Sequence, residues 1–425
     1  MNGRIFGVVT AITVVAANAS AADTAPTYVG MTEQDVGVME RARPAYDAKG
    51  IPTGGFRAFP ELDVSETYDD NVFRRNTGQA DFITTISPTL RYSSEWGRHQ
   101  VELYGGANSY VYSDYTAQNL TDWNVGLDGR IDVLRELTVT MNGYYSELHE
   151  SWEAPNNVIG FQAQPNRYYA GHFDFSTAYK PNRLSIVAGG SYDRLDWTDT
   201  PAIGGGFIRN GDRSQNEYQG FVRTAYDFSP GYSAYVRVAY DNRKFDELFD
   251  RSGYDRSLSG YRVDGGLVLQ LTHLIRGEVY GGYIRQNFNQ SVPTPLPNGN
   301  GADFGANLDW FATPLLTVHL FAEHNFSDVV LSGVSQADNS TVSVRADYEL
   351  RPNILLHAGF GYISTTFTGS SRVDSQPSAE ISSEYLINQN FSLQFGYRYG
   401  ERTSNSSNQE EYKVNRVSLT LKAHI

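Results

Sequence analysis

From Phe59 to the end of the chain, polar and apolar residues alternate with the period of a β-strand. In one segment Val101, Leu103, Gly105, Ala107 and Val111 alternate with Gln100, Glu102, Tyr104, Asn108 and Tyr112. In the next, Trp123, Val125, Leu127, Ile131 and Val133 alternate with Asn124, Asp128, Arg130 and Asp132. The pattern continues with Val342, Val344, Ala346 and Tyr348 against Ser343, Arg345, Asp347 and Glu349. The last segment sets Val417, Leu419, Leu421, Ala423 and Ile425 against Arg416, Ser418, Thr420, Lys422 and His424. One unit recurs about every 40 residues: two segments of about 13 to 16 residues, a very short turn on one side and a longer polar loop on the other. The short turns fall at Trp96-Gly97-Arg98, Leu134-Arg135-Glu136, Pro181-Asn182, Ser229-Pro230-Gly231, His273-Leu274, Thr313-Pro314, Arg351-Pro352-Asn353 and Asn388-Gln389-Asn390. The loops, among them 71–80, 153–165, 198–212, 291–301 and 403–410, collect Gly, Asn, Asp, Ser and Pro, the residues that turns favour.

About 18 strands result, an even number, as a barrel with both termini on one side requires. A propeller or a soluble β-solenoid also alternates. Three features favour a transmembrane barrel. The segments exceed the 5–6 residues usual for soluble strands and cover the 9–11 of a tilted bilayer span. Turn lengths alternate between short and long along the whole chain. Aromatics gather on the apolar face near strand ends: Tyr92, Tyr179 and Phe228 by short turns, Tyr145, Tyr192 and Tyr240 by long loops. The predicted fold is therefore all-β, an antiparallel up-and-down transmembrane barrel with short periplasmic turns and longer external loops. Strands in lipid must pair every backbone N–H and C=O, and for a sheet only closure achieves that.

Composition narrows the picture. The 425 residues carry a formal charge of −14 and no Cys, so disulfides, thiolate nucleophiles and Cys-ligated metals are excluded. An acidic pI near 5.0 argues against nucleic acid as a partner. A mean hydropathy of −0.43 without a run of roughly 20 apolar residues leaves no room for membrane helices. At the N-terminus, Arg4, the apolar run from Ile5 to about Ala17 and Ala19-Ser20-Ala21 predict a signal peptide over residues 1–22. Residues 23–56 are expected to form a periplasmic leader, flexible rather than plugging, and 57–425 the barrel. Thr32 in Met31-Thr32-Glu33-Gln34-Asp35 is a candidate helix cap.

In a barrel this wide the inward face meets water. Alternation predicts a bore lined by Arg91, Glu102, Tyr104, Asp128, Arg130, Asp132, Arg223, Asp227, Arg237, Asp241, Arg262, Asp264, Arg276, Glu278, Arg345, Asp347, Glu349 and Arg398. These charges either tune selectivity or satisfy one another across strands. Tyr104 and Tyr280 are candidate sliding contacts for sugar rings. Tyr68, Asp69, Asp70 and Asn71 at the first external turn are candidate sugar or cation contacts, against the simpler reading of an Asx turn bonding its own backbone.

Catalytic constellations are weak. No Gly-x-Ser-x-Gly occurs. His149-Glu150 lacks the second His of a zincin, and His319 and Glu323 share a face from which alternation turns His324 away. No phosphate loop, metal set or cofactor site is expected, and the chain does not read as an enzyme.

Certain strings are more specific. Arg57-Ala58-Phe59-Pro60-Glu61-Leu62, then Tyr68-Asp69-Asp70-Asn71-Val72-Phe73 and Asp81-Phe82-Ile83-Thr84-Thr85-Ile86-Ser87-Pro88, resemble the opening of the putative β-barrel porin 2 family of Gram-negative bacteria. Arg43-Pro44-Ala45-Tyr46-Asp47, Gly50-Ile51, Trp96-x-Arg98-His99 and Asp128-Gly129-Arg130 fit the same opening, with the likeness strongest over about residues 41–153. The resemblance implies an outer-membrane channel in contact with lipid and lipopolysaccharide and inserted by the barrel assembly machinery. It also implies a conduit for exported polysaccharide with periplasmic export partners. The competing expectations are a general or sugar-selective diffusion porin and a barrel-anchored surface enzyme or adhesin. External loops of about 6 to 15 residues are too short for a separate adhesive domain.

Overall fold

The computed structural model describes residues 36–156, 161–271, 274–406 and 411–425. The expected signal peptide, the Thr32 cap, His273 of one short turn and the end of the 403–410 loop lie outside the described residues. A single antiparallel sheet closes on itself through 18 barrel strands. The first six are β1 (Phe56–Asp69), β2 (Asp81–Ser94), β3 (Gln100–Tyr112), β4 (Leu120–Asp132), β5 (Leu137–His149) and β6 (Arg167–Tyr179). Next come β7 (Leu184–Trp197), β8 (Gln215–Ser229), β9 (Tyr232–Phe245), β10 (Leu258–Leu271), β11 (Ile275–Phe288) and β12 (Gly299–Thr313). The circle is completed by β13 (Leu316–Asp328), β14 (Gln336–Arg351), β15 (Ile354–Thr368), β16 (Val373–Leu386), β17 (Phe391–Ser404) and β18 (Tyr412–His424). Every strand pairs with its sequence neighbours, and β1 meets β18 from Glu61↔His424 to Asp69↔Arg416. Closure leaves the barrel without an open edge, which is what hydrocarbon demands.

Strand lengths of 13 to 16 residues match the sequence pattern. Boundaries differ slightly: β12 begins at Gly299 and β17 runs to Ser404, inside stretches expected as loop. Ser229, Thr313 and Arg351 also extend their strands, each beside a register shift that lets the chain enter its tight turn.

The outer face is apolar. Leu62, Val125, Val222, Val238, Leu320, Val344, Ile381 and Leu419 are all exposed on it. So are Tyr145, Tyr179, Tyr192, Phe228 and Tyr240, and Tyr92 stacks on Phe56 with ring centroids 4.8 Å apart. Burial follows a second logic inside the long-loop end. Inward Ile363 and Phe367 are buried, and Val329, Val334, Ala337 and Phe367 form a small core under the loop between β13 and β14. Alternation marks such positions as breaks; the cause is that loops fold inward and cover them.

Candidate functional site

The bore is built from the inward half of each strand, and its charged side chains lie across the wall in pairs. Arg91 donates to Glu102 at 3.2 Å, Arg276 to Asp309 at 2.7 Å, and Arg237 to Asp264 at 3.0 Å, each between neighbouring or next-neighbouring strands. Arg130 meets Asp132 at 3.0 Å and Arg345 meets Asp347 at 3.4 Å, two residues along one strand. Lys180 reaches Asp227 at 2.9 Å, and Arg262 lies 3.4 Å from Asp303. Arg223 on β8 spans to Glu278 on β11 at 2.8 Å, where the Tyr235 hydroxyl also donates at 2.5 Å. Asp128 accepts from Asn142, Asp241 leans over Gly260, and Arg398 stands near Gln376 and Arg416.

The residues expected on the inner face differ in access. Arg130 and Arg345 keep 57% and 44% of their side chains exposed. Glu102, Arg223, Asp264, Asp347 and Glu349 are buried beneath neighbours. Charges with so many cross-strand partners lie flat on the wall instead of standing into the bore. Tyr104 lies over Gly126 and Tyr280 over Gly305; a Cβ at either glycine would meet the ring at 2.2 and 2.6 Å.

The histidines and the first long loop have defined partners. His319 is held in the bore by Asp309 at 2.6 Å and Asp347 at 3.0 Å, while His324 sits on the outer face against Phe304 and Phe326. His149 bonds Asp122, and Glu150 bonds Arg213. At the first long loop, Tyr68 faces outward against Phe82, whereas Asp69 is buried on the other side between Arg74 and Arg416. Asn71 donates its backbone N–H to Asp69, and Asp70 accepts from the Asn415 backbone and side chain. These four residues form a tied turn and present no shared face.

Two features that alternation does not encode narrow the ends of the bore. At the long-loop mouth, residues 150–156 cross the opening as a strap. Its base is fixed by Glu150, 1% exposed, which accepts from Arg213 at 2.6 and 3.0 Å and from Asn166 at 2.7 Å. Arg213 itself stacks 3.4 Å from the Trp197 ring. Further along, Glu153 accepts from Arg74 and Arg416, its carbonyl from Arg402, and Asn156 from the Val330 amide on the opposite side. Arg74 is buried; burial works against its charge, and Glu153 and Asp69 more than restore it, so its pKa stands above the ordinary value. Under the strap lies an open space bordered by Trp197, Gln215, Phe245, Asp328, Ile363 and Gln376.

At the short-turn mouth, the leader expected to be free is docked from Val36 onward. Val38, 1% exposed, packs inside the wall and donates its amide to Thr317 at 3.0 Å. Arg41 and Arg43 both reach Glu349, at 3.2 and 2.8 Å, and Glu40 lies 3.5 Å from Arg276. Gln389 donates to the Pro44 carbonyl, and the Gly50 amide to the Ile425 carbonyl. Nothing in the hydropathy of this segment announces the contact; the available clue was a triplet of charges, Glu40, Arg41 and Arg43, facing a bore of both signs.

Among curated proteins nothing matches the chain. Among solved structures it is similar in fold to OpdK from Pseudomonas aeruginosa (11% identity, TM-score 0.44, 87% of this chain and 99% of that one). It is also similar to OccAB3 from Acinetobacter baumannii (11%, 0.45, 87% and 99%) and to OccK3 from Pseudomonas aeruginosa (13%, 0.44, 87% and 95%). Likeness at that level says nothing of cargo. The decisive match is the family model described as putative beta-barrel porin 2, which spans residues 43–425. This chain belongs to that family and is an outer-membrane β-barrel.

Proposed function

We propose that this barrel is a passive diffusion channel that favours small, neutral or cationic hydrophilic solutes, with its long loops facing outward. The observation that carries this reading is the inner wall: inward-facing carboxylates clearly outnumber inward-facing Arg and Lys along the strands. Water-filled space bounded by fixed negative charge concentrates cations and repels anions. A lumen of this kind is also what so many charges require, since they could not sit in a dry core.

Export of a polysaccharide rests on the family resemblance alone. The strap at one mouth and the docked segment at the other both oppose passage of a polymer, so the diffusion reading is preferred. The test is planar-bilayer recording of the purified protein without partners under a KCl gradient. Steady conductance with a reversal potential of the sign for potassium preference is expected. A silent barrel, or an anion-selective one, would overturn the reading.

A further inference from the structure

Two lateral rows of the bore share one construction and differ in what covers their rings. In the first, Tyr235 on β9, Gly266 on β10, Tyr280 on β11 and Gly305 on β12 stand opposite one another in register. Each tyrosine lies over the next strand's glycine, where a Cβ would come within 2.6 Å of the ring. The protein's own cations occupy these faces: the Arg223 guanidinium is 3.9 Å from the Tyr235 ring centroid and that of Arg237 5.4 Å from Tyr280. Glu278 accepts from both Arg223 and Tyr235.

The second row crosses β3 to β7 as Tyr104, Gly126, Tyr144, His172 and Asp193. Tyr104 again lies over its glycine, its hydroxyl 3.5 Å from Asn142 Nδ2. Tyr144 stacks on His172 at 5.0 Å and 24°, and His172 is fixed by Asp193 at 2.6 Å and Asp174 at 3.1 Å. Among the described residues no Arg or Lys stands over Tyr104 or Tyr144, and Tyr144 is 37% exposed to the bore.

One residue pair along each strand runs a parallel row: Glu102, Asp128, Asn142, Asp174 and Ser191. Asp128 accepts from Asn142 at 2.5 Å and forms no ion pair among the described residues. The Ser191 hydroxyl, in a side chain more than nine-tenths buried, has no partner. Arg91, opposite Tyr104 in register, leans over Phe59 and pairs with Glu102, so the exposed Tyr144 ring beside Asp128 offers a face for a positive charge attached to an apolar surface.

We propose that the Tyr104–Tyr144 row is a binding subsite for organic cations, solutes that carry an ammonium group next to an apolar surface. This rests on the channel reading above and names its solute class. The ring faces attract the cation through their quadrupole, and Asp128 supplies the counter-charge from the neighbouring row. A carboxylate-bearing solute meets like charge from Asp128, while Glu102 is paired with Arg91 and Asp174 is bonded to His172.

The experiment is open-channel block in planar bilayers, with phenyltrimethylammonium as probe and benzenesulfonate as its anionic counterpart. Wild type should be blocked by the cation, with a half-blocking concentration at least tenfold below that of the anion. Tyr144→Ala and Asp128→Asn should each raise the cation's value about tenfold, while Tyr144→Phe, which keeps the ring face, retains block. Equal block of wild type, Tyr144→Ala and Asp128→Asn would overturn the subsite, as would equal block by the anion. Silent bilayers would instead overturn the channel reading, and titration calorimetry of the detergent-solubilised barrel then decides the subsite. Tighter binding of the cation by wild type than by Tyr144→Ala upholds it; equal binding removes it.

Discussion

The two mouths of the barrel are narrowed by similar means and held with different strength. At the long-loop end the strap is anchored by Glu150 and Arg213, both buried, with Asn166 completing the carboxylate's hydrogen bonds. At the short-turn end the docked segment is held by one buried pair, Arg43 with Glu349 at 9% and 10% side-chain exposure, and otherwise by outer contacts in which Arg41 keeps 30% and Glu40 36% of the side chain exposed. Breaking a buried pair by removing one partner costs about 3–5 kcal/mol, because the other charge is left uncompensated. Exposed pairs contribute about 0–1 kcal/mol and weaken with salt. The comparison teaches that one constriction is part of the wall and the other is an attachment.

The largest effect should come from removing the strap itself. Replacing residues 151–156 with a short Gly-Ser link should raise single-channel conductance at least twofold, measured in planar bilayers. Unchanged conductance would mean that the strap does not limit the bore. Next in size is the contrast between anchors. Glu150→Gln should lower the urea midpoint of the detergent-solubilised barrel well beyond Arg41→Gln, by the difference between about 3 and about 1 kcal/mol.

Because the chain has no Cys, single-cysteine probes meet no background. Val38→Cys should gain accessibility to a charged thiol reagent in 1 M salt or with Glu349→Gln, while Ala154→Cys stays protected under both. Equal labelling of the two sites would erase the distinction.

The smallest effect is expected at the loops flanking the strap, where Asp212 accepts from Arg251 at 2.8 Å. Burial pushes this carboxyl up, but the hydrogen bonds and charge of Arg251 overcome it and hold its pKa below the ordinary 3.8. A depressed carboxyl contributes stability above its unfolded value and loses it as pH falls through the folded one. Current noise should therefore stay constant from pH 7 to pH 5 and rise only on acidification below 3.8; a rise already at pH 5 would exclude this contact as its source.

Much of the barrel was legible in the sequence because lipid imposes a rule with period 2. Val342 to Glu349 alternate in the sequence as they do in space, and His319 and His324 fall on opposite faces for the same reason. The rule ends where water and protein replace hydrocarbon. Phe367 is apolar yet buried on the inner side with Val329 and Val334, a placement that period 2 alone does not explain. Glu150 and Glu153 look like loop polarity, and only the tertiary fold reveals partners such as Arg213 and Arg416, far along the chain. The same holds for Arg43 and Glu349, whose pairing no local pattern encodes. Tyr144 was missed beside Tyr104 because the row that joins them runs across strands, at right angles to the direction in which a sequence is read.

The seam between β1 and β18 has a further consequence. Asp70 and Asn415, 345 positions apart, are bonded neighbours. A nascent or shortened chain that lacks its final strand would carry two raw borders of N–H and C=O into the bilayer, and no internal rearrangement could hide them. Sealing must therefore wait for the whole polypeptide, and insertion, pairing of the ends and completion of the cylinder become a single event.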